Sequence, residues 1–120
     1  MEWKLDKSRY VIPQICEQIC AKITGGEFKI GQKLPSVREL AVDTGVNPNT
    51  VQRCFEELEQ QNVLFSVRGS GWYVSENEES AKQVLNKIIF KKTENYFTEM
   101  AALGFNSEAV KNYIKEWNNG

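Results

Sequence analysis

A mainly α fold with one small β-hairpin is what this sequence predicts, on three observations. Apolar residues recur at spacings of three and four from Tyr10 to Ile23, from Ala81 to about Leu103 and from Val110 to Trp117, the stripe of an amphipathic helix. Residues Leu34 to Asn62, LPSVRELAVDTGVNPNTVQRCFEELEQQN, read as two short helices about one tight turn. Val63 to Val67 and Trp72 to Val74 are β-type runs separated by Arg68-Gly-Ser-Gly71, the pattern of a hairpin.

Each element has a local cause. Ile12, Ile15, Cys16, Ile19, Cys20 and Ile23 form the stripe of the first helix, which Gly25-Gly26 ends. Residues 28–35 then read as a connector, with Gly31 and Pro35 as its punctuation. Ser36 and Glu39 have the spacing of a capping box, in which each side chain satisfies an orphan backbone donor at a helix start. Gly45 can close that helix with positive φ, and Asn47-Pro48 offers a cap oxygen and a first helical residue for the next. Asn62 stands where that helix stops, a position for a left-handed cap. After Val74 the composition shifts to Ser-Glu-Asn-Glu-Glu-Ser, a polar link into a long helix stopped by Gly104, and Ser107 is placed to cap the last helix.

Composition excludes several classes. The 120 residues carry 41% hydrophobic and 26% charged side chains, which suits a globular chain with one core and a short appendage. No apolar run approaches the roughly 20 residues that span a bilayer, and MEWKLDKSRY lacks the apolar core of a signal peptide, so the expected location is the cytoplasm, with no membrane contact. Cys16, Cys20 and Cys54 are an odd set in a chain without an export signal, and two of them fall on an apolar stripe. They read as small buried hydrophobes, not as a disulfide or a metal site. With no histidine and no phosphate-binding glycine loop, no catalytic constellation can be assembled, and neither a cofactor nor a metal is expected.

A helix-turn-helix followed by a hairpin is a winged helix, whose second helix can enter a DNA major groove. From Thr44 to Phe55 there is no acidic residue, while Asn47, Asn49, Thr50, Gln52 and Arg53 supply hydrogen-bonding groups and a cation suited to base edges and phosphates. Residues 1–75 hold nine Lys plus Arg against nine Asp plus Glu, and residues 76–120 six against seven. Binding to DNA must then rest on local cations, with Lys33, Arg38, Arg53 and Arg68 the candidates. The competing reading is a winged helix that serves only as a protein-interaction module. Arg38, the acid-free stretch and Arg68 are what an interaction module has no reason to align on one surface.

Pro13-Gln-Ile15, Gly31-Gln-Lys-Leu-Pro-Ser-Val-Arg-Glu-Leu-Ala41, Gly45-Val-Asn-Pro-Asn-Thr-Val51, Leu58-Glu and Arg68-Gly-Ser-Gly71 together resemble the GntR family of bacterial transcription regulators. The resemblance covers about residues 10–75, and a tail of only two helices looks like the short YtrA-like branch, whose tail serves dimerisation. It implies that Arg38 contacts the DNA backbone or a base, that Asn47, Asn49, Thr50 and Gln52 face the groove, and that Arg68 and Gly69 approach the minor groove. Gln52 stands where many relatives carry Arg, which bears on base preference, and Asn62 replaces the usual Gly.

The expected organisation is therefore a winged helix-turn-helix DNA-binding domain at 1–75 and a two-helix dimerisation tail at 76–120. The expected function is a dimeric repressor bound to an inverted-repeat operator in double-stranded DNA. Lys33, Ser36, Arg38, Asn47, Asn49, Thr50, Gln52, Arg53, Arg68 and Gly69 are its DNA-facing residues. Leu85, Ile88, Ile89, Phe97, Met100, Ile114 and Trp117 lie on apolar stripes with too few partners within one subunit and are assigned to the homodimer interface. The sequence assigns no small-molecule effector; the tail is too short to enclose a sizeable pocket, so a ligand would bind at the dimer interface or between tail and winged helix.

Overall fold

The computed structural model describes residues 2–118, as five helices and one hairpin. The elements are α1 (Val11–Thr24), α2 (Val37–Thr44), α3 (Pro48–Gln60), β1 (Leu64–Val67), β2 (Gly71–Val74), α4 (Glu78–Ala102) and α5 (Ser107–Trp117). One compact unit ends at Leu85 and a second begins at Asn86. The first therefore reaches past the boundary expected after residue 75. The cause is burial: Ser80, Ala81 and Val84 in the first turns of α4 are all removed from solvent.

The core of the first unit is made where α1 and α2 both pack on α3. Ile15, Ile19 and Cys20 from α1, Leu40 from α2, and Val51, Cys54, Phe55 and Leu58 from α3 have no exposed surface. Burial of aliphatic or aromatic side chains of this size contributes ~1.5 to 3 kcal/mol each. The capping box is present, with Ser36 Oγ accepting from Glu39 N at 3.1 Å and Glu39 Oε1 accepting from Ser36 N at 3.2 Å. Gly45 is left-handed at φ 70° and its amide donates to the Ala41 carbonyl, ending α2 so that Asn47 can cap α3 two residues later. Asn62 holds φ 62° just beyond α3, as its cap position demands.

The hairpin is antiparallel, in the register Leu64↔Val74 to Val67↔Gly71. The connector does more than turn. Gly31 N donates to the Val74 carbonyl, Val74 N to the Gln32 carbonyl and Leu34 N to the Trp72 carbonyl, so residues 31–34 run along β2 with a bridge between Lys33 and Tyr73. Phe28 and Leu34 are buried beneath this edge.

The three cysteines are free and buried. Cys16 Sγ lies 3.8 Å from the Cys54 carbonyl, and Cys54 Sγ lies 3.7 Å from the Ile12 carbonyl, which satisfies weak donors between α1 and α3. A hydrogen bond with the Cys54 thiol, together with burial, raises the Cys16 thiol above its ordinary range, and burial pushes Cys20 up to about 12.

In the second unit α4 runs on to Ala102 and α5 follows. The residue that caps α5 is Asn106 and not Ser107. The Asn106 backbone is extended and its Oδ1 accepts from Ala109 N at 2.9 Å, which leaves Ser107 as the first helical residue. Of the expected stripe Val110, Tyr113, Ile114 and Trp117, Val110 is fully buried, whereas Tyr113 is 50%, Ile114 43% and Trp117 69% exposed.

Candidate nucleic-acid interface

Helix α3 sets the site. Its buried residues Val51, Cys54, Phe55 and Leu58 fix the opposite face at about 100° per residue. That face is Asn49, Arg53, Glu56 and Gln60, all exposed. Asn47 Oδ1 accepts from the Asn49 amide at 2.8 Å and the Asn47 carbonyl accepts from the Thr50 amide at 2.9 Å, so the helix start is capped and the positive end of its dipole lies beside the exposed Asn49. Thr50 and Gln52 flank the face and are half-buried. Thr50 lines a shallow groove with Tyr10, Pro13 and Glu57, and Gln52 Nε2 donates to Glu56 Oε2 at 3.4 Å.

Arg38, the second residue of α2, is exposed, with Glu39 held back in the capping box. Ser36 Oγ accepts within that box and keeps its proton for an outside acceptor. Arg68 and Gly69 occupy the exposed turn between β1 and β2. Lys33 joins them: its Cε lies 3.1 Å from where a Cβ on Gly71 would stand, so the absence of a side chain there lets the lysine lie across the wing. None of Lys33, Arg38, Arg53 and Arg68 forms an ion pair among the described residues.

The wing is fastened to α3. Phe55 and Trp72 meet edge to face at 5.5 Å between ring centroids. Glu59 Oε2 accepts from the Ser66 hydroxyl at 2.9 Å and the Ser66 amide at 3.3 Å. Nothing in the sequence around Glu59 signals this role. Its partner lies on the next strand, which no helical periodicity indicates.

A groove of about 520 Å³ in the same unit lies beside the first turn of α4, with Ile23, Phe28, Val74 and Ala81 at its floor and Lys29 and Glu78 at its rim. No residue of α3 lines it. Among the described residues no group of three or more Cys, Asp or Glu could hold a metal ion, and no helix is long and apolar enough to cross a membrane.

A helix pair about a left-handed turn, a polar exposed helix start and a basic wing define a winged helix-turn-helix, the DNA-binding fold of a class of transcriptional regulators. Residues 12–74 match the family of bacterial regulatory proteins, gntR family. The chain is 33% identical over 120 residues to YhcF of Bacillus subtilis, an uncharacterized HTH-type transcriptional regulator, covering 100% of this chain and 99% of that one. It is 36% identical over 110 residues to the transcriptional repressor YtrA of the same organism, covering 88% and 82%. A solved GntR family regulator from Listeria monocytogenes is 39% identical and superposes with a TM-score of 0.78 over 93% of this chain and 98% of that one. The chain belongs to the GntR family, in its short YtrA-like branch, and is a transcriptional regulator and not an enzyme.

Proposed function

We propose that the chain acts in the cytoplasm as a dimeric repressor that occupies an inverted-repeat operator, its two α3 helices reading half-sites about one helical turn, ~34 Å, apart. The observation that carries the reading is the outward face at the start of α3, where Asn49 and Arg53 are exposed beside a capped helix N-terminus. Asn47, Asn49, Thr50, Gln52 and Arg53 serve the major groove. Lys33, Ser36, Arg38, Arg68 and Gly69 serve the backbone and the minor groove. Repression fits the role of the relative YtrA, a transcriptional repressor.

The dimer is assigned to Leu85, Ile88, Ile89, Phe97, Met100, Ile114 and Trp117. Ile89 is 57% exposed, and Phe90, Leu103 and Phe105 are exposed as well, a large apolar surface for so short a tail. A symmetric partner presenting the same patch would cover it. Selection of bound sequences from a random DNA library tests the reading: an inverted repeat with two equal half-sites is the expected product. Recovery of no sequence above the starting pool would overturn it.

A further inference from the structure

We propose that the N-terminal arm belongs to the DNA-binding surface and that Lys7 supplies a phosphate contact at the turn of the helix-turn-helix. The inference rests on the operator-binding reading above. Residues 2–9 form no regular element, yet they are strapped to α1 by two glutamines one helical turn apart. Gln18 exchanges both hydrogen bonds with the Lys4 backbone, at 2.9 and 2.6 Å. Gln14 accepts from the Asp6 amide at 2.7 Å and donates to the Asp6 and Tyr10 carbonyls at 2.9 and 2.8 Å. Each side-chain amide thus stands in for a strand's peptide group. Asp6 then turns the arm, its carboxylate accepting from the Ser8 amide at 3.0 Å and the Ser8 hydroxyl at 2.5 Å. Those bonds hold its carboxyl below the usual range.

The turn delivers Lys7 to Gly45. Lys7 Nζ lies 2.7 Å from where a Cβ on Gly45 would stand, so the ammonium sits directly on the left-handed residue between α2 and α3. Two residues on, Asn47 begins the helix whose exposed face forms the interface. Lys7 is exposed and makes no ion pair among the described residues, and Asp6, the acid next to it, is committed to Ser8. A cation there adds to the positive end of α3 at a point that a groove-bound helix brings to the DNA backbone. Its other effect is structural, since α2 has no basic residue in its last turn and Lys7 also lies by that negative helix end.

The two roles separate in the salt dependence of binding. Lys7→Gln and Lys7→Arg in the full chain are measured against the selected operator and against unrelated duplex, with thermal midpoints alongside. A lost phosphate contact lowers the slope of log K against log salt by about 0.9 per subunit, near 2 for a dimer, and weakens both duplexes alike. The expected result is that loss in Lys7→Gln and its recovery in Lys7→Arg. An unchanged slope in Lys7→Gln, with or without a lower midpoint, overturns the inference. Arg38→Ala in the same assay keeps the two proposals apart: if it too leaves binding unchanged, the operator-binding reading fails, and if it alone weakens binding, only the arm's role fails.

Discussion

Glu59 in the last turn of α3 accepts two hydrogen bonds from Ser66 of β1, one from its hydroxyl at 2.9 Å and one from its amide at 3.3 Å. The wing therefore cannot swing independently of the helix it follows. Together with the Phe55 and Trp72 rings, this couples the aim of Arg68 to the aim of Asn49 and Arg53. Ser66→Ala removes the hydroxyl donor and should cost about 1 kcal/mol, a fall of a few degrees in thermal midpoint. Helix content by circular dichroism should stay the same. A midpoint equal to that of the parent would show that the bond does not hold the wing.

Backbone and base contacts should respond differently to substitution. Arg38→Ala should weaken binding to all sequences alike, because a phosphate carries no sequence information, whereas Asn49→Ala should alter the selected sequence. Gln52→Ala bears directly on the flank of α3, since Gln52 is half-buried and engaged with Glu56. A change in selected sequence is expected there too. If Gln52→Ala selects the parent motif with equal stringency, Glu56 holds that side chain out of the groove.

What the sequence made legible is what is decided within a few residues. The capping box at Ser36 and Glu39, the left-handed Gly45, the Asn47-Pro48 start and the left-handed Asn62 each depend on neighbours one turn away. The stripe of α1 was equally plain, because three or four residues separate most of its buried groups. Pairings set by tertiary structure left no such trace. Residues 31–34 join β2 through backbone groups alone, and Gln14 and Gln18 bind the arm through side chains that look like any polar pair on a helix. The choice of Asn106 over Ser107 was a contest between two adjacent capping residues, and propensity does not separate them.

Asn62 offers a test of the backbone argument. At φ 62° a side chain crowds its own backbone, Asn less than most, and Gly not at all. Asn62→Gly should keep or raise stability by up to ~1 kcal/mol, while Asn62→Ala should lower it by about the same amount. Chemical denaturation of the three proteins provides the comparison. Equal midpoints for Ala and Asn would mean that the residue leaves the left-handed region in solution.

The cysteines should be inert in the folded protein. The thiolate is the reactive form, and the Cys16 and Cys20 thiols are both raised, Cys20 to about 12, so neither ionises near neutral pH. Cys54 is fully buried. Ellman's reagent should find essentially no reactive thiol in the native chain and all three after denaturation in guanidinium. Rapid native modification of even one would mean that α1 separates readily from α3.

Truncation examines the two units separately. Deleting residues 86–120 should leave a folded winged helix, because its core draws on Ile15, Ile19, Leu40, Val51, Phe55 and Leu58 and keeps the buried Ser80, Ala81 and Val84. Deleting residues 76–120 removes those three as well. The shorter product should then be less stable by about 2 kcal/mol, close to the value of one buried Val. Both products should be monomeric, since each lacks Ile88, Ile89, Phe97, Met100, Ile114 and Trp117. Affinity for an inverted repeat should then fall by orders of magnitude while affinity for a single half-site changes little, because linking two modules makes the second contact intramolecular. Sedimentation of the longer product as a dimer would falsify the assignment of the interface to the tail and move it onto the winged helix itself.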